Sequence, residues 1–225
     1  IYCQNWNISQ VFPWDVEYKE MTPEEVVADA LRTNSELIAF TYGEPIVFYE
    51  YMIDIAKLAR EKGLKTVVVS CGYINPEPLR ELLKYIDAFK VDFKGYSEEF
   101  YQKFTGGHLQ PILETMKIVQ EENIWLEIVV LLIPGENDSE EEIRGIVEWI
   151  KENLGDDVPL HFSAFHPDYK LQNLPPTPPE TLIKARQIAM GEGLKYVYTG
   201  NIIYPEGEST YCPNSKEIAI ERRGY

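Results

Sequence analysis

Five apolar runs in this sequence end abruptly in polar or glycine residues, and those ends hold most of its chemically capable side chains. Thr41 leads into Tyr42-Gly43-Glu44-Pro45, and Ser70 into Cys71-Gly72-Tyr73. Asp92-Phe93-Lys94-Gly95 places a carboxylate and an amine two residues apart, on one face of an extended segment. Ile133-Pro134-Gly135-Glu136-Asn137-Asp138 and Ser163-Ala164-Phe165-His166-Pro167 complete the set. Each has a plain structural reading: Gly43 and Gly72 as turn formers, Asp92 with Lys94 as an ion pair, His161 and His108 as packed or capping histidines. His166, beside Pro167, is the histidine best placed for a site. Taken as reactive groups, Lys94 with Glu44 or His166 as acid or base would suit a Schiff-base enzyme of the aldolase type.

The elements that must position these residues alternate along the chain. Runs rich in β-branched and aromatic residues at Leu37–Thr41, Thr66–Ser70, Ala88–Phe93, Trp125–Ile133, Leu160–Phe165 and Tyr196–Tyr198 read as buried strands. Between them Pro23–Arg32, Ile46–Lys62, Pro78–Tyr85, Gln110–Glu122, Ser139–Leu154 and Pro179–Glu192 carry helical patterns. Thr22-Pro23-Glu24-Glu25 predicts a capped helix start with Pro in the first turn and a Glu that bonds back. Ser139 with Glu142, and Thr177-Pro178 with Glu180, repeat the signature, while Gly63, Gly155 and Gly193 mark helix stops. Ile143, Ile146, Val147, Ile150 and Leu154 form a core stripe opposite a solvated face of Glu140, Glu141 and Glu148. A faint repeat, Glu61-Lys62-Gly63-Leu64-Lys65 and Gly191-Glu192-Gly193-Leu194-Lys195, joins helix to strand twice.

Such alternation implies parallel strands with right-handed crossovers. A complete eight-unit barrel takes about 250 residues, and six strands are counted here. The expected fold is α/β, a partial TIM-type (β/α)6 barrel of parallel strands missing its first strand at the N-terminus. The barrel domain spans residues 1–208, and residues 209–225 form a C-terminal extension. In this architecture ligands gather at the carboxyl ends of the strands, where the polar segments lie.

Composition narrows the function classes. With 21 Lys+Arg against 37 Asp+Glu the 225 residues carry a formal charge of −16, which disfavours phosphate backbones and anionic lipid surfaces. The three cysteines, at 3, 71 and 212, form no framework and suit free thiols in a reducing cytoplasm. No apolar run approaches the ~20 residues of a membrane span, and no signal peptide is visible.

Tyr2-Cys3-Gln4-Asn5-Trp6, followed by Ile8-Ser9-Gln10, resembles the end of the CxxxCxxC motif of radical S-adenosylmethionine (SAM) enzymes. Tyr42-Gly43-Glu44-Pro45, Val91-Asp92-Phe93-Lys94-Gly95-Tyr96, Ile133-Pro134-Gly135-Glu136-Asn137-Asp138, His166-Pro167-Asp168-Tyr169-Lys170 and Tyr211-Cys212-Pro213-Asn214 extend the likeness, in order, over nearly the whole chain. Within that superfamily the chain resembles the AmmeMemoRadiSam-system proteins, relatives of pyruvate formate-lyase-activating enzymes. The resemblance implies a [4Fe-4S] cluster held by three thiolates, of which Cys3 would be the third. Tyr2 would lie against adenine, and Tyr42-Gly43-Glu44, in place of a Gly-Gly-Glu motif, would receive the SAM ammonium. Ser70, Asp92, Lys94 and His166 match positions around the methionine carboxylate and ribose, and Ile133 and Gly135 match positions beside adenine. The implied reaction is reductive cleavage of SAM to methionine and a 5′-deoxyadenosyl radical, which takes hydrogen from a protein or small substrate. An electron donor such as a ferredoxin or flavodoxin is implied as partner, with no nucleic acid and no membrane.

Departures from the pattern carry their own expectations. The chain opens on Ile1, so the other two cluster cysteines and the first strand are expected upstream, and these 225 residues alone are expected to be inactive. Ser215 stands where a second cysteine completes Cys-Pro-Asn-Cys in relatives, so Cys212 is read as part of a local turn and not a metal site. Cys71 replaces a common Asn and reads as a packed thiol. Two other classes remain open to the sequence: the aldolase-type enzyme using Lys94, and a non-catalytic module that binds a partner through its acidic face.

Overall fold

A computed structural model describes residues 2–224. Six strands, β1 (Leu37–Phe40), β2 (Lys65–Ser70), β3 (Ala88–Asp92), β4 (Trp125–Leu132), β5 (Leu160–Ala164) and β6 (Val197–Gly200), lie in one sheet in sequence order. The strands are parallel, as the alternation predicts: Ala39 pairs with Val67, Val68 with Phe89, and His161 with both Val129 and Tyr198. The main helices between and before them are α1 (Pro23–Arg32), α2 (Tyr49–Glu61), α3 (Pro76–Leu83), α4 (Leu109–Glu121), α5 (Glu140–Asn153) and α6 (Pro179–Gly191). A small antiparallel hairpin, β7 (Thr210–Tyr211) and β8 (Ile218–Ile220), follows β6.

Local chemistry explains most boundaries. The Thr22 hydroxyl accepts from Glu25 N at 3.3 Å while the Glu25 carboxylate accepts from Thr22 N at 2.8 Å, a reciprocal cap. Ser139 caps α5 through Glu142 N, but the Glu142 carboxylate turns away to the amide of Tyr96. The third expected cap does not form. Thr177 is buried and its hydroxyl instead donates to Leu132 O at 2.6 Å and accepts from Phe165 N at 2.9 Å, leaving Pro178 to start α6. Pro76 enters the first turn of α3, so that helix begins earlier than its apolar pattern suggests. The helix expected from Ile46 opens as a tight turn, Pro45–Phe48, before α2 proper.

The two Gly-Leu-Lys repeats end their helices by one mechanism. Gly63 and Gly193 take φ of 78° and 104°. Beyond them Leu64 N returns to Ala59 O at 2.9 Å and Leu194 N to Ala189 O at 3.1 Å, with both leucines buried. Lys65 and Lys195 then pair with Asp87 and Asp156, each at 2.7 Å. Exposed pairs of this kind contribute little, so the buried leucine matters more than the charge.

The chain divides into two compact units. One comprises Cys3–Val91 and Pro111–Leu126. Its core sets Met52, Ile55 and Ala56 of α2, Leu79 and Leu82 of α3, and Met116 of α4 with Val68 and Phe89, all buried. The other comprises Tyr2, Asp92–Gln110 and the chain from Glu127 onward. In β4 its buried residues Ile128, Val130 and Leu132 alternate with half-buried Glu127, Val129 and Leu131, as strand geometry requires. Its core includes the α5 stripe Ile143, Ile146, Val147, Ile150 and Leu154, as the helical spacing predicts, together with Phe162 and Leu182. Between β3 and α4 lies a segment with no clear sequence signal, a turn at Glu98–Phe100 followed by a π-helical stretch, Tyr101–Thr105.

Candidate functional site

In the first unit the chemistry collects where β1 and β2 end. Past β1, Tyr42 takes φ of 72° and is 73% exposed, and Gly43 N bonds to Thr41 O at 3.1 Å. Glu44 then starts the Pro45–Phe48 turn, its Oε1 accepting from Ile46 N at 3.2 Å. The same oxygen accepts from the Ser70 hydroxyl at 2.6 Å, and Oε2 accepts from Cys71 N at 2.9 Å. Ser70, 2% exposed, also accepts from Gly72 N at 2.9 Å, and Gly72 O accepts from the Thr115 hydroxyl at 2.7 Å. Gly72 has φ of 74°, and a Cβ there would press on Thr115 Cγ2 at 3.3 Å, so this turn needs glycine. The result is a carboxylate locked by three donors from two strand ends. A carboxylate offers about four lone-pair sites, which leaves capacity for one further donor, and the space beside Gly43 is open.

Cys3, half-buried, lies just before the short helix Trp6–Ser9, with its Sγ 3.2 Å from Ser9 Oγ. All three cysteines are free thiols, and among the described residues no three His, Cys, Asp or Glu side chains gather as a metal site.

In the second unit Asp92 and Lys94 follow one another on the same side of the chain and pair at 3.0 Å, both partly exposed. Asp92 thereby gives the Lys94 side chain a carboxylate partner. At the end of β4, Ile133 is buried, Gly135 takes φ of 76°, and Gly135 N bonds to Asp138 Oδ1 at 2.8 Å. Ile133 belongs to an apolar cluster with Tyr2, Phe100, Phe104, Phe165 and Leu171, in which Tyr2 meets Phe104 edge-on at 6.2 Å. His166 is exposed just past β5. The other histidines are structural, as expected: His161 bonds Glu127 at 2.9 Å and stacks on Tyr198, and His108 bonds Glu98 at 2.5 Å.

A family model for the radical SAM superfamily matches residues 1–150. This chain belongs to the radical SAM superfamily. An uncharacterised protein of Methanocaldococcus jannaschii is 48% identical over 222 residues, 99% of this chain and 66% of that protein, so the chain spans about two thirds of that relative's length. The pyruvate formate-lyase-activating enzyme of Clostridium pasteurianum is 27% identical over 192 residues, 77% of each chain. The crystal structure of a domain of pyruvate-formate lyase-activating enzyme from Bacteroides vulgatus superposes with a TM-score of 0.64 at 22% identity, covering 74% of this chain and all of that one. The likeness in fold is to the partial (β/α)6 barrel expected from the strand count.

The donor chemistry of this radical SAM chain fits one implied group and only part of the other. SAM carries an ammonium, a carboxylate and an adenine. Taken separately, the first unit offers a fixed carboxylate at Glu44, and the second offers a lysine at Lys94 and an apolar patch at Tyr2 and Ile133. A cluster takes thiolates, and the described residues hold the free thiol of Cys3 without gathering a ligand set around it.

Three residues play parts at these strand ends that the sequence does not assign to them, Thr177 reading there only as a helix cap. Asn137 is buried and satisfies three backbone groups, Thr177 ties β4 to β5, and the Tyr101 hydroxyl receives Lys94 N at 3.2 Å. Asn137 lies in the Ile133–Asp138 segment, and its polarity beside Pro134-Gly135 is the signal that marks it. Cys212 sits in the turn of the β7–β8 hairpin, as expected, with Lys216 N bonded to its carbonyl at 2.9 Å. The Ser215 hydroxyl and the amides of Ser215 and Asn214 bring its thiol down to about 7.

Proposed function

We propose that this chain is the SAM-binding core of a radical SAM enzyme of the activating type, which makes a carbon radical on a protein or small-molecule partner. A [4Fe-4S] cluster, with Cys3 as one ligand, would supply the electron that splits SAM into methionine and a 5′-deoxyadenosyl radical. The Glu44 carboxylate would receive the ammonium of SAM on its remaining lone pair, with Tyr42 and Gly43 alongside. Ser70 holds that carboxylate in place. Lys94, steadied by Asp92, would meet the methionine carboxylate, and His166 the ribose. Tyr2, Ile133 and Gly135 would border the adenine. The barrel core would be residues 1–208, with 209–225 an extension whose hairpin carries Cys212.

The relatives named as activating enzymes favour a protein partner, and a ferredoxin or flavodoxin is the expected electron donor in a cytoplasmic setting. No helix among the described residues is long and apolar enough to cross a membrane. The observation that carries the reading is the Glu44 cradle, a carboxylate fixed by Ser70, Cys71 and Ile46 in a chain that belongs to this superfamily.

Calorimetry with S-adenosylhomocysteine on the full-length protein tests it. Glu44→Gln replaces an acceptor by a donor facing Ser70 or Cys71 N and removes the charge, so affinity should fall roughly 10- to 100-fold. Equal affinity in wild type and variant, or no binding by wild type, would remove this site from the account.

A further inference from the structure

We propose that Asn137 and Tyr101 are positioning residues that fix the main chain of Lys94, and through it the placement of its ammonium toward the carboxylate of SAM. The proposal rests on the SAM-binding reading of Lys94. The last ladder bond at the end of β3 is Phe93 N to Val129 O at 2.8 Å. One residue later two buried side chains take over the work of a neighbouring strand. The Tyr101 hydroxyl accepts from Lys94 N at 3.2 Å, and Asn137 Nδ2 donates to Lys94 O at 2.8 Å.

Asn137 is 1% exposed and its amide has little freedom left. Nδ2 also donates to Leu131 O at 3.0 Å, and Oδ1 accepts from Ile133 N at 2.6 Å, so three of its four hydrogen-bonding positions are used. One side chain thereby sets Lys94 and Ile133 relative to each other, two residues assigned to opposite ends of the same ligand. Tyr101 is 2% exposed and opens the π-helical stretch, a local widening that shifts side chains from ordinary helical positions and is common at functional sites. The next residues are held as well, since Tyr96 N donates to Glu142 of α5. Lys94 is thus held at both ends, its main chain by Tyr101 and Asn137 and its Nζ 3.0 Å from Asp92 Oδ2. A cation restricted in this way is pre-organised for a carboxylate, whereas a merely tethered lysine is not.

The test compares two ligands in a double-mutant cycle on the full-length protein. S-adenosylhomocysteine carries the amino-acid moiety, and 5′-methylthioadenosine lacks it. Asn137→Asp keeps an acceptor for Ile133 N but cannot donate to Lys94 O, and it should weaken S-adenosylhomocysteine about tenfold while leaving 5′-methylthioadenosine unchanged. In a Lys94→Met background, Asn137→Asp should cause no further loss, because the two act through one group. Tyr101→Phe should shift affinity in the same direction by a smaller factor, and it carries the same comparison should Asn137→Asp not fold. Parallel weakening of both ligands, or effects of the Asn137 and Lys94 substitutions that multiply, would overturn the positioning role. Failure of the wild type to bind S-adenosylhomocysteine would instead remove the SAM-binding reading on which the role depends.

Discussion

Tyr42 holds a backbone conformation that a bulky residue adopts only at a cost, φ of 72° with its side chain standing in solvent. The left-handed region costs an L-residue roughly 1–2 kcal/mol, and the exposed ring offers little packing in return. Tyr42→Gly is therefore expected to stabilise the fold by about 1 kcal/mol, offset in part by the freer glycine in the unfolded chain. A rise in melting temperature of a few degrees would show it, and a fall would mean that the ring is supported after all. The same residue illustrates how far single side chains were legible. The sequence placed Tyr42, Glu44, Ser70, Asp92 and Lys94 at strand ends, because an apolar run that stops reveals where the chain leaves the sheet. It did not reveal that Glu44 spends three of its acceptor positions on its own protein, since those donors come from the end of another strand and from its own turn. Nor did it give Asn137 a role of its own, and it read Thr177 as a helix cap. Each bonds to main-chain groups far away in sequence, and only tertiary register brings those groups within reach.

At the scale of elements, two carboxylates of the second unit titrate in opposite senses. Glu98 closes the neck of the segment leading into α4, accepting from Leu109 N at 2.9 Å, His108 at 2.5 Å and Gln102 at 3.0 Å. These bonds bring its carboxyl down to about 2, the Leu109 amide contributing most. A depressed carboxyl stabilises the fold above its unfolded value near 4.5 and loses that contribution as pH falls toward 2. Glu98→Gln should thus be less stable than wild type at neutral pH, with the difference closing below pH 4 in urea titrations. Glu142 behaves oppositely: burial pushes its carboxyl up, against the opposing pull of the Tyr96 amide. Its charged form is disfavoured in the fold, so its contribution is present at acid pH and declines as pH rises through the raised value. Glu142→Gln is then expected to gain stability relative to wild type as pH increases, and a constant difference from acid to neutral pH would contradict that assignment. Helix and strand limits were largely readable from local signals, caps and glycines above all. The π-helical stretch was not, because Tyr101–Thr105 carries no periodic pattern or breaker to mark it.

For the molecule as a whole, six parallel strands in sequence order follow from the alternation of buried runs and amphipathic helices, and the superfamily match covers residues 1–150. The proposed chemistry would rest on less: the free thiol of Cys3, one locked carboxylate at Glu44 and one lysine at Lys94 whose main chain is held. The acidic balance of −16 bears on partners and not on this chemistry. The central claim is that the protein uses these residues to cleave SAM reductively. The measurement that tests it most directly is the formation of 5′-deoxyadenosine by the full-length protein, reconstituted anaerobically with iron and sulfide, reduced and supplied with SAM. The account predicts 5′-deoxyadenosine and methionine in equal amounts, dependent on reductant and abolished by Cys3→Ala. A reduced, cluster-bearing protein that yields no 5′-deoxyadenosine, or a Cys3→Ala variant that yields as much as wild type, would contradict it.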